Sequence, residues 1–211
     1  MATAKKIVAP SLLNSTNHVL VLIDQQYSPI LTVRSHDVER VVNAATLLAK
    51  SAKIFGVRTL LTTALGVAMI KEVREVFSEQ EPIDRTTLNA FEDERIVAWV
   101  EAARQGKLVL AGLLTESSLA MSALSALSVG YEVYVVTDAS GGEHRESHEM
   151  AVQRMLVAGA TPLTTGAYLR ELQRDWSRDV TAAKVLSLFD QYGGAHGEGL
   201  LGERALVASK E

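Results

Sequence analysis

The sequence of 211 residues contains no cysteine. This absence excludes disulfide bonds, thiolate metal sites and cysteine nucleophiles together. Two signatures of hydrolytic enzymes are missing as well: the HExxH zinc motif and the GxSxG elbow that presents a nucleophilic serine. The lack of cysteine constrains the function more than any other feature of the composition.

An excess of positive charge is also lacking. The chain has 21 Lys and Arg against 25 Asp and Glu, which gives a net charge of −4. Such a surface is poorly suited to a phosphate backbone, so we expect no nucleic-acid partner. No apolar stretch approaches the roughly 18 residues of a membrane span, and the first residues lack the order of a signal peptide. These absences predict a cytoplasmic protein without a membrane partner.

What the sequence does contain is the pattern of one globular α/β domain. Apolar residues make up 47% and charged residues 22%, and the length suits a single core. Short apolar runs predict strands over 18–24, 57–63, 107–113, 131–137 and 160–164. Helical spacing predicts helices between them, over 37–53, 69–77, 93–104, 115–128 and 143–158. This alternation predicts a three-layer α-β-α fold with a mostly parallel sheet.

The domain organisation follows from the same pattern. Residues 1–17 form an N-terminal extension, residues 18–190 the domain, and residues 191–211 a glycine-rich tail or an arm laid over a neighbouring subunit. In a parallel sheet of this kind, ligands bind outside the carboxyl ends of the strands. We therefore expect any functional site at that edge.

Three tempting patterns carry little weight. Residues 197–202 match the GxGxxG dinucleotide pattern, but no strand precedes them and no acidic partner can follow. His144 and His148 are four residues apart on a predicted helix without a third metal ligand nearby, so we interpret them as a solvated pair. Asp138, Ser140 and His144 have the letters of a serine-hydrolase triad but lie too close together in sequence. We interpret that segment as a strand-to-helix turn.

Three other residues are expected at the carboxyl edge. Asp24 ends the first strand, Arg85 precedes the helix that leads to strand 107–113, and Ser118 lies in the first turn of the next helix. A buried acid can serve as a general base, and a guanidinium can orient that acid or hold an anion. Free N–H groups at a helix start suit a developing oxyanion. A plainer interpretation stays open, with Asp24 as a strand-end cap paired with Arg85 and Ser118 as an ordinary polar helix residue.

Longer motifs around these residues resemble a known family. Residues 21–26 (VLIDQQ), 83–93 (IDRTTLNAFED) and 111–118 (AGLLTESS) are similar to the isochorismatase-like, or cysteine hydrolase, superfamily, most of all to its YcaC-type branch. The likeness extends from about residue 18 to 176, with the motifs in the family's order. It implies a sheet of about six strands, homo-oligomers and a small-molecule substrate.

The resemblance also implies roles for individual residues. The family's general base falls on Asp24, its basic residue on Arg85 and its nucleophilic cysteine on Ser118. A non-proline cis peptide bond, known just before the nucleophile's helix, would fall between Leu114 and Thr115. Substrate-binding or oxyanion roles fall on the following residues: Gln26, Asn89, Leu114 and Thr115.

Two departures from the family pattern matter. The basic residue is often lysine in the family, and arginine cannot release a proton at neutral pH. Ser118 is the larger departure, because an alcohol needs a stronger base than a thiol does. No histidines follow Asp24 of the kind that hold a metal in the nicotinamide-hydrolysing members, so we expect neither a metal nor another cofactor.

Three functions remain open at this point. The first is hydrolysis of a small amide, imide or ester, with Ser118 at the cysteine position of either a weak native variant or an engineered inactive form. The second is a non-catalytic small-molecule-binding or assembly protein on the same fold. The third is hydrolysis of an isochorismate-type ether, which needs no thiol.

Overall fold

The computed structural model describes residues 8–194. Six strands form one wholly parallel sheet in the order β3-β2-β1-β4-β5-β6. The strands are β1 (His18–Ile23), β2 (Thr59–Ala64), β3 (Ile83–Arg85), β4 (Lys107–Gly112), β5 (Glu132–Val136) and β6 (Thr161–Leu163). The fold class predicted from the sequence is confirmed.

Helices cover both faces of this sheet. They are α1 (Tyr27–Thr32), α2 (Val38–Phe55), α3 (Lys71–Arg74), α4 (Glu94–Ala103), α5 (Ala120–Ser128), α6 (Arg145–Val157), α7 (Thr165–Gln173) and α8 (Asp179–Tyr192). Short 3₁₀ turns cover Glu75–Phe77 and Ala90–Glu92. None of the helices in residues 8–194 combines the length and the hydrophobicity that a membrane span requires.

Strand alternation divides the core into two layers. Leu20 and Leu22 of β1 pack with the buried sides of α2 and α7, whereas Val19 and Val21 pack with α4, α5 and α6 on the opposite face. All six residues of β1 and of β4 are buried, as expected for central strands of a parallel sheet. The two strands are neighbours, so their carboxyl ends meet at the middle of the sheet edge.

The start of α2 shows how local sequence sets an element boundary. The Asp37 carboxylate accepts hydrogen bonds from the N–H groups of Glu39 and Arg40, at 2.9 and 3.4 Å. Asp37 is therefore the N-cap residue of α2. Gly56 ends the helix with φ of 64°, a conformation that glycine adopts readily.

Four elements go beyond the pattern-based prediction: α1, β3, α7 and α8. Strand β3 has only three residues and no apolar run, so the hydrophobic pattern of the sequence did not indicate it. Helices α7 and α8 follow β6, and α8 packs against α2 and α7 through Val185, Leu188 and Phe189. It ends at Tyr192, so the boundary predicted at residue 191 falls inside its last turn. The GxGxxG pattern at 197–202 lies outside the described residues.

Candidate active site

Asp24, Arg85 and Ser118 come from three different elements and lie at the carboxyl edge of the sheet. Asp24 directly follows β1, where its backbone takes a left-handed conformation with φ of 52°. Arg85 is the last residue of β3. Ser118 lies in the π-helical turn Thr115–Leu119, between β4 and α5. The structure thus brings together the three residues that the sequence singled out.

Asp24 and Arg85 form a buried ion pair. Nη2 of Arg85 donates to Oδ2 of Asp24 at 2.7 Å, and the two side chains are only 0% and 6% exposed, for Arg85 and Asp24 respectively. The other terminal nitrogen, Nη1, donates to the carbonyl oxygen of Thr87. Among the described residues, Oδ1 of Asp24 and Nε of Arg85 have no hydrogen-bond partner. One carboxylate oxygen is fixed, and the other can still accept a proton or a hydrogen bond.

The environment of Asp24 changes its acidity. Burial raises the pKa of the carboxyl above its usual range, although the Arg85 guanidinium and the nearby Ser118 hydroxyl both act to lower it. Desolvation disfavours the charged form of any acid, which explains the direction. A carboxylate with a raised pKa is a better base than an ordinary one.

Ser118 lies beside this pair and is only 3% exposed. Its hydroxyl is near enough to influence the Asp24 carboxyl, yet no hydrogen bond of normal geometry reaches Oδ1. The backbone of Ser118 is held by the next helical turn, because its carbonyl oxygen accepts a hydrogen bond from the Ser122 hydroxyl at 2.6 Å. The same hydroxyl accepts from the N–H of Ala90 at 3.0 Å, which ties the turn to the segment after β3.

A cis peptide bond lies in the segment that joins β4 to the turn of Ser118. The cis peptide bond lies between Leu113 and Leu114, so its predicted place one residue later was wrong. Leu113 still has the contacts of a strand residue, because its N–H donates to the carbonyl oxygen of Ile23 and it forms a parallel β-bridge with Gly141. The N–H of Thr115 donates to the carbonyl of Gly141 at 2.9 Å and already starts the helical turn.

The remaining predicted site residues have mainly structural contacts. The amide of Gln26 donates to the carbonyls of Ala64 and Val67, at 2.9 and 2.6 Å, and accepts from the N–H of Ala64 at 2.9 Å. The amide of Asn89 donates to the Ser125 hydroxyl at 2.8 Å. The N–H of Leu114 donates no hydrogen bond to any described residue. Of the four, Leu114 offers a free donor close to Ser118.

Asp138 and Ser140, two of the three residues that match the types of a serine-hydrolase triad, hold the turn after β5 together, as predicted. The Ser140 hydroxyl donates to the carbonyl of Val136 at 2.8 Å and accepts from the N–H of Gly112 at 3.1 Å. Asp138 accepts from the backbone N–H of Thr165 at 2.8 Å, at the start of α7. These bonds join neighbouring strand ends at the carboxyl edge.

The prediction that His144 and His148 are both solvated was wrong for His148. His144 is exposed, but His148 is only 7% exposed, and its Nδ1 lies 2.8 Å from the Thr115 hydroxyl oxygen. Its spacing to the buried Ala151 and Met155 is helical and could have indicated burial. Within residues 8–194, no three His, Asp or Glu side chains group as metal ligands would.

A six-stranded parallel sheet with a buried acid–guanidinium pair beside a helical turn defines an isochorismatase-like α/β protein. Residues 18–167 match the isochorismatase domain, and the chain belongs to that family. Over 179 residues it is 32% identical to "Probable hydrolase YcaC" of Escherichia coli strain K12, covering 82% of this chain and 86% of that protein.

Two solved structures show the same likeness. One is the YcaC gene product of Escherichia coli, described as an octameric hydrolase of unknown specificity. It shares 30% identity at a TM-score of 0.88, over 95% of this chain and 100% of the other. The second is YcaC from Pseudomonas aeruginosa with hexane-2,5-diol and covalent acrylamide. It shares 28% identity at a TM-score of 0.86, over 93% and 98% of the two chains. The chain is therefore placed in the YcaC-type branch of the isochorismatase-like hydrolases.

Proposed function

We propose that this protein is a hydrolase of a small amide, imide or ester, with Ser118 in the position of the nucleophile. One observation carries the proposal. Oδ2 of Asp24 is held by Arg85 at 2.7 Å, the buried Oδ1 lacks a hydrogen-bond partner among the described residues, and the Ser118 hydroxyl is near enough to lower the pKa of this carboxyl. A carboxylate held at one oxygen and free at the other is arranged to accept a proton.

The proposed reaction has two stages, formation of an acyl bond to Ser118 and its hydrolysis, and Asp24 transfers the proton in both. The Ser118 oxygen attacks the carbonyl carbon of the substrate while its proton passes to Oδ1 of Asp24. The N–H of Leu114 donates to the oxyanion that forms, which is the role of an oxyanion-hole donor. Asp24 then gives the proton to the departing nitrogen or oxygen. Water releases the acyl group from Ser118 with the same carboxylate as base.

Arg85 has a positioning role in this scheme. Its guanidinium remains protonated at any pH that the protein tolerates, so it neither gives nor takes a proton. It fixes the orientation of the Asp24 carboxylate and limits the rise in the pKa of Asp24 that burial causes. The effect on the pKa keeps Asp24 ionised, and therefore able to act as a base, over a wider pH range.

The relatives support two parts of the proposal. The Pseudomonas aeruginosa YcaC structure contains covalent acrylamide, a reagent to which nucleophiles add at its carbon–carbon double bond, and this supports testing for a nucleophile here with the same reagent. The Escherichia coli YcaC is octameric, and we propose a homo-oligomer for this chain as well. We likewise propose a cytoplasmic location, a domain over 18–190 and no cofactor.

Serine itself favours a second candidate, a non-catalytic protein that binds a small molecule at the same site. An alcohol is ionised far less than a thiol and needs a strong base. A site that kept Asp24 and Arg85 but carries serine can hold a ligand at Leu114 and Asp24 without forming an acyl bond. The two candidates differ only in the covalent step.

The test restores the thiol. We expect Ser118→Cys to turn over a member of a panel of small amides, imides and esters, or to form an acyl adduct detected by intact mass. Ser117→Cys is the matched control, because Ser117 is adjacent and more exposed but is not the predicted nucleophile. Asp24→Asn added to Ser118→Cys should abolish turnover. If Ser118→Cys is as inert as the control across the panel, the hydrolase proposal is wrong and ligand binding becomes the better assignment.

A further inference from the structure

A buried histidine from a distant helix contacts the turn that carries Ser118. His148 lies in α6, thirty-three residues along the chain from Thr115, yet its Nδ1 is 2.8 Å from the Thr115 hydroxyl oxygen. Thr115 is the first residue of the turn and is 0% exposed. Neither residue has a place in the proton transfers proposed above, so their contact calls for another explanation.

An imidazole at this position is costly unless it is hydrogen-bonded. His148 shares the buried side of α6 with Ala151 and Met155, where an apolar residue would avoid the loss of hydration. Burial, together with the neighbouring His36, lowers the pKa of His148 to about 4, and Glu149 acts in the opposite direction. The ring is therefore neutral at pH 7, and its bond to Thr115 offsets part of the cost.

Thr115 is anchored at two points. Its N–H donates to the Gly141 carbonyl at 2.9 Å, and its hydroxyl pairs with His148. Leu114, the free N–H donor, comes directly before it, and Ser118 follows three residues later in the same turn. A shift of Thr115 would move both the oxyanion donor and the nucleophile relative to Asp24.

We propose that His148 is a positioning residue for the reaction: through Thr115 it holds the turn so that Ser118 and the Leu114 N–H face Asp24. The catalytic consequence rests on the proposed function, whereas the positioning of the turn does not. His148 does not touch the reacting atoms, because its bond goes to Thr115 and not to Ser118. His148 differs in this role from a purely structural core residue, because removing its side chain affects the rate of the reaction more than the stability of the fold.

The experiment uses the Ser118→Cys protein as its background and two readouts. The first is the rate at which acrylamide alkylates Cys at position 118 at fixed pH, followed by intact mass. The second is kcat and KM on whichever substrate of the panel is turned over. His148→Leu removes the polar ring, His148→Asn keeps a polar atom near the position of Nδ1, and Thr115→Val removes only the hydroxyl. His144→Gln is the control, because His144 is the exposed N-cap residue just before α6.

We expect His148→Leu and Thr115→Val each to lower the alkylation rate and kcat about tenfold while KM stays within about twofold, since a small misplacement strongly affects a reaction and binding much less. The double variant should be no slower than either single one, because both remove the same bond. His148→Asn should recover most of the rate, and His144→Gln should not differ from the background.

Several results would overturn the proposal. It is wrong if His148→Leu and His148→Asn react equally, if the effects of the two sites multiply, or if Tm falls with no change in either rate. If the background protein turns over no substrate, the proposed function fails, but the alkylation series still decides whether His148 positions the turn. If His148→Leu does not fold, the nearly isosteric Thr115→Val carries the test.

Discussion

Replacing Arg85 by methionine should destabilise the protein strongly, and more at high pH than at low pH. The Arg85 side chain is 0% exposed and that of Asp24 only 6%. Breaking a buried pair from one side leaves an uncompensated charge, which costs about 3–5 kcal/mol. Methionine has a similar length and fills most of the space, so loss of packing adds little. We expect the free energy of unfolding at pH 8 to fall by about that amount.

The sign of the pH dependence follows from the Asp24 carboxyl. Burial already raises its pKa, and Arg85 is the largest influence that opposes the rise. In Arg85→Met the folded-state pKa is therefore higher still, above the unfolded value. Such a group binds more protons in the folded state, so its contribution to stability is fully present below the unfolded pKa and is lost as pH rises through the folded pKa. The variant should come nearest to the parent protein at low pH.

The assay is urea unfolding of the parent, Arg85→Met and Arg85→Met/Asp24→Asn at pH 5 and pH 8. Asparagine is the matched replacement for Asp24, because it tolerates the left-handed backbone with φ of 52° and carries no charge. The double variant should regain at least half of the loss at pH 8 and show no such pH dependence. A cost for Arg85→Met below about 1 kcal/mol at pH 8, or a double variant no more stable than the single one, would refute the assignment of a buried, mutually dependent pair.

Two further predictions concern the scaffold. A methyl group on Gly112 would lie 2.6 Å from the carbonyl oxygen of Ile23, so Gly112→Ala should lower the free energy of unfolding by at least about 2 kcal/mol, measured in urea. Gly106→Ala is the control and should change it by less than about 0.5 kcal/mol, because nothing lies within 4 Å of the added atom. The buried ring of His18, which pairs with Tyr168, has its pKa lowered from 6.5 to about 4 by burial. Its contribution to stability is therefore complete above pH 6.5 and is lost towards pH 4, by up to about 3 kcal/mol. His18→Gln should flatten the parent's pH dependence over that window, and an unchanged slope would contradict the buried neutral ring.

The sequence predicts the fold well where strands are apolar runs. The predicted strands 18–24 and 107–113 each exceed β1 and β4 by a single residue, because a strand buried on both faces has an unbroken apolar signal. Strand β3 has an intermediate, an exposed and a buried residue, and such a short mixed segment has no period to detect. Helix α8 was not predicted for a related reason, because it packs on two helices and not on the sheet.

The candidate site likewise has a part that the sequence predicted and a part that it did not. The pattern of strands and helices predicted Asp24, Arg85 and Ser118 at the carboxyl edge, and the resemblance to a family then implied a role for each. The contact between Thr115 and His148 depends on how α6 packs on the turn, and no local pattern in the sequence encodes it.

The energetics of Asp24 distinguish the two proposed functions from a plain structural role. A buried ion pair often stabilises a fold less than apolar residues of the same volume would. Asp24 adds two further costs, a left-handed backbone and a buried oxygen without a partner among the described residues. Three costs at one residue, at the edge where ligands of parallel sheets bind, favour a group placed for chemistry or recognition over a strand-end cap. Between those two functions, the raised pKa of Asp24 agrees with a general base and with a ligand acceptor alike, so turnover by Ser118→Cys is the observation that separates them.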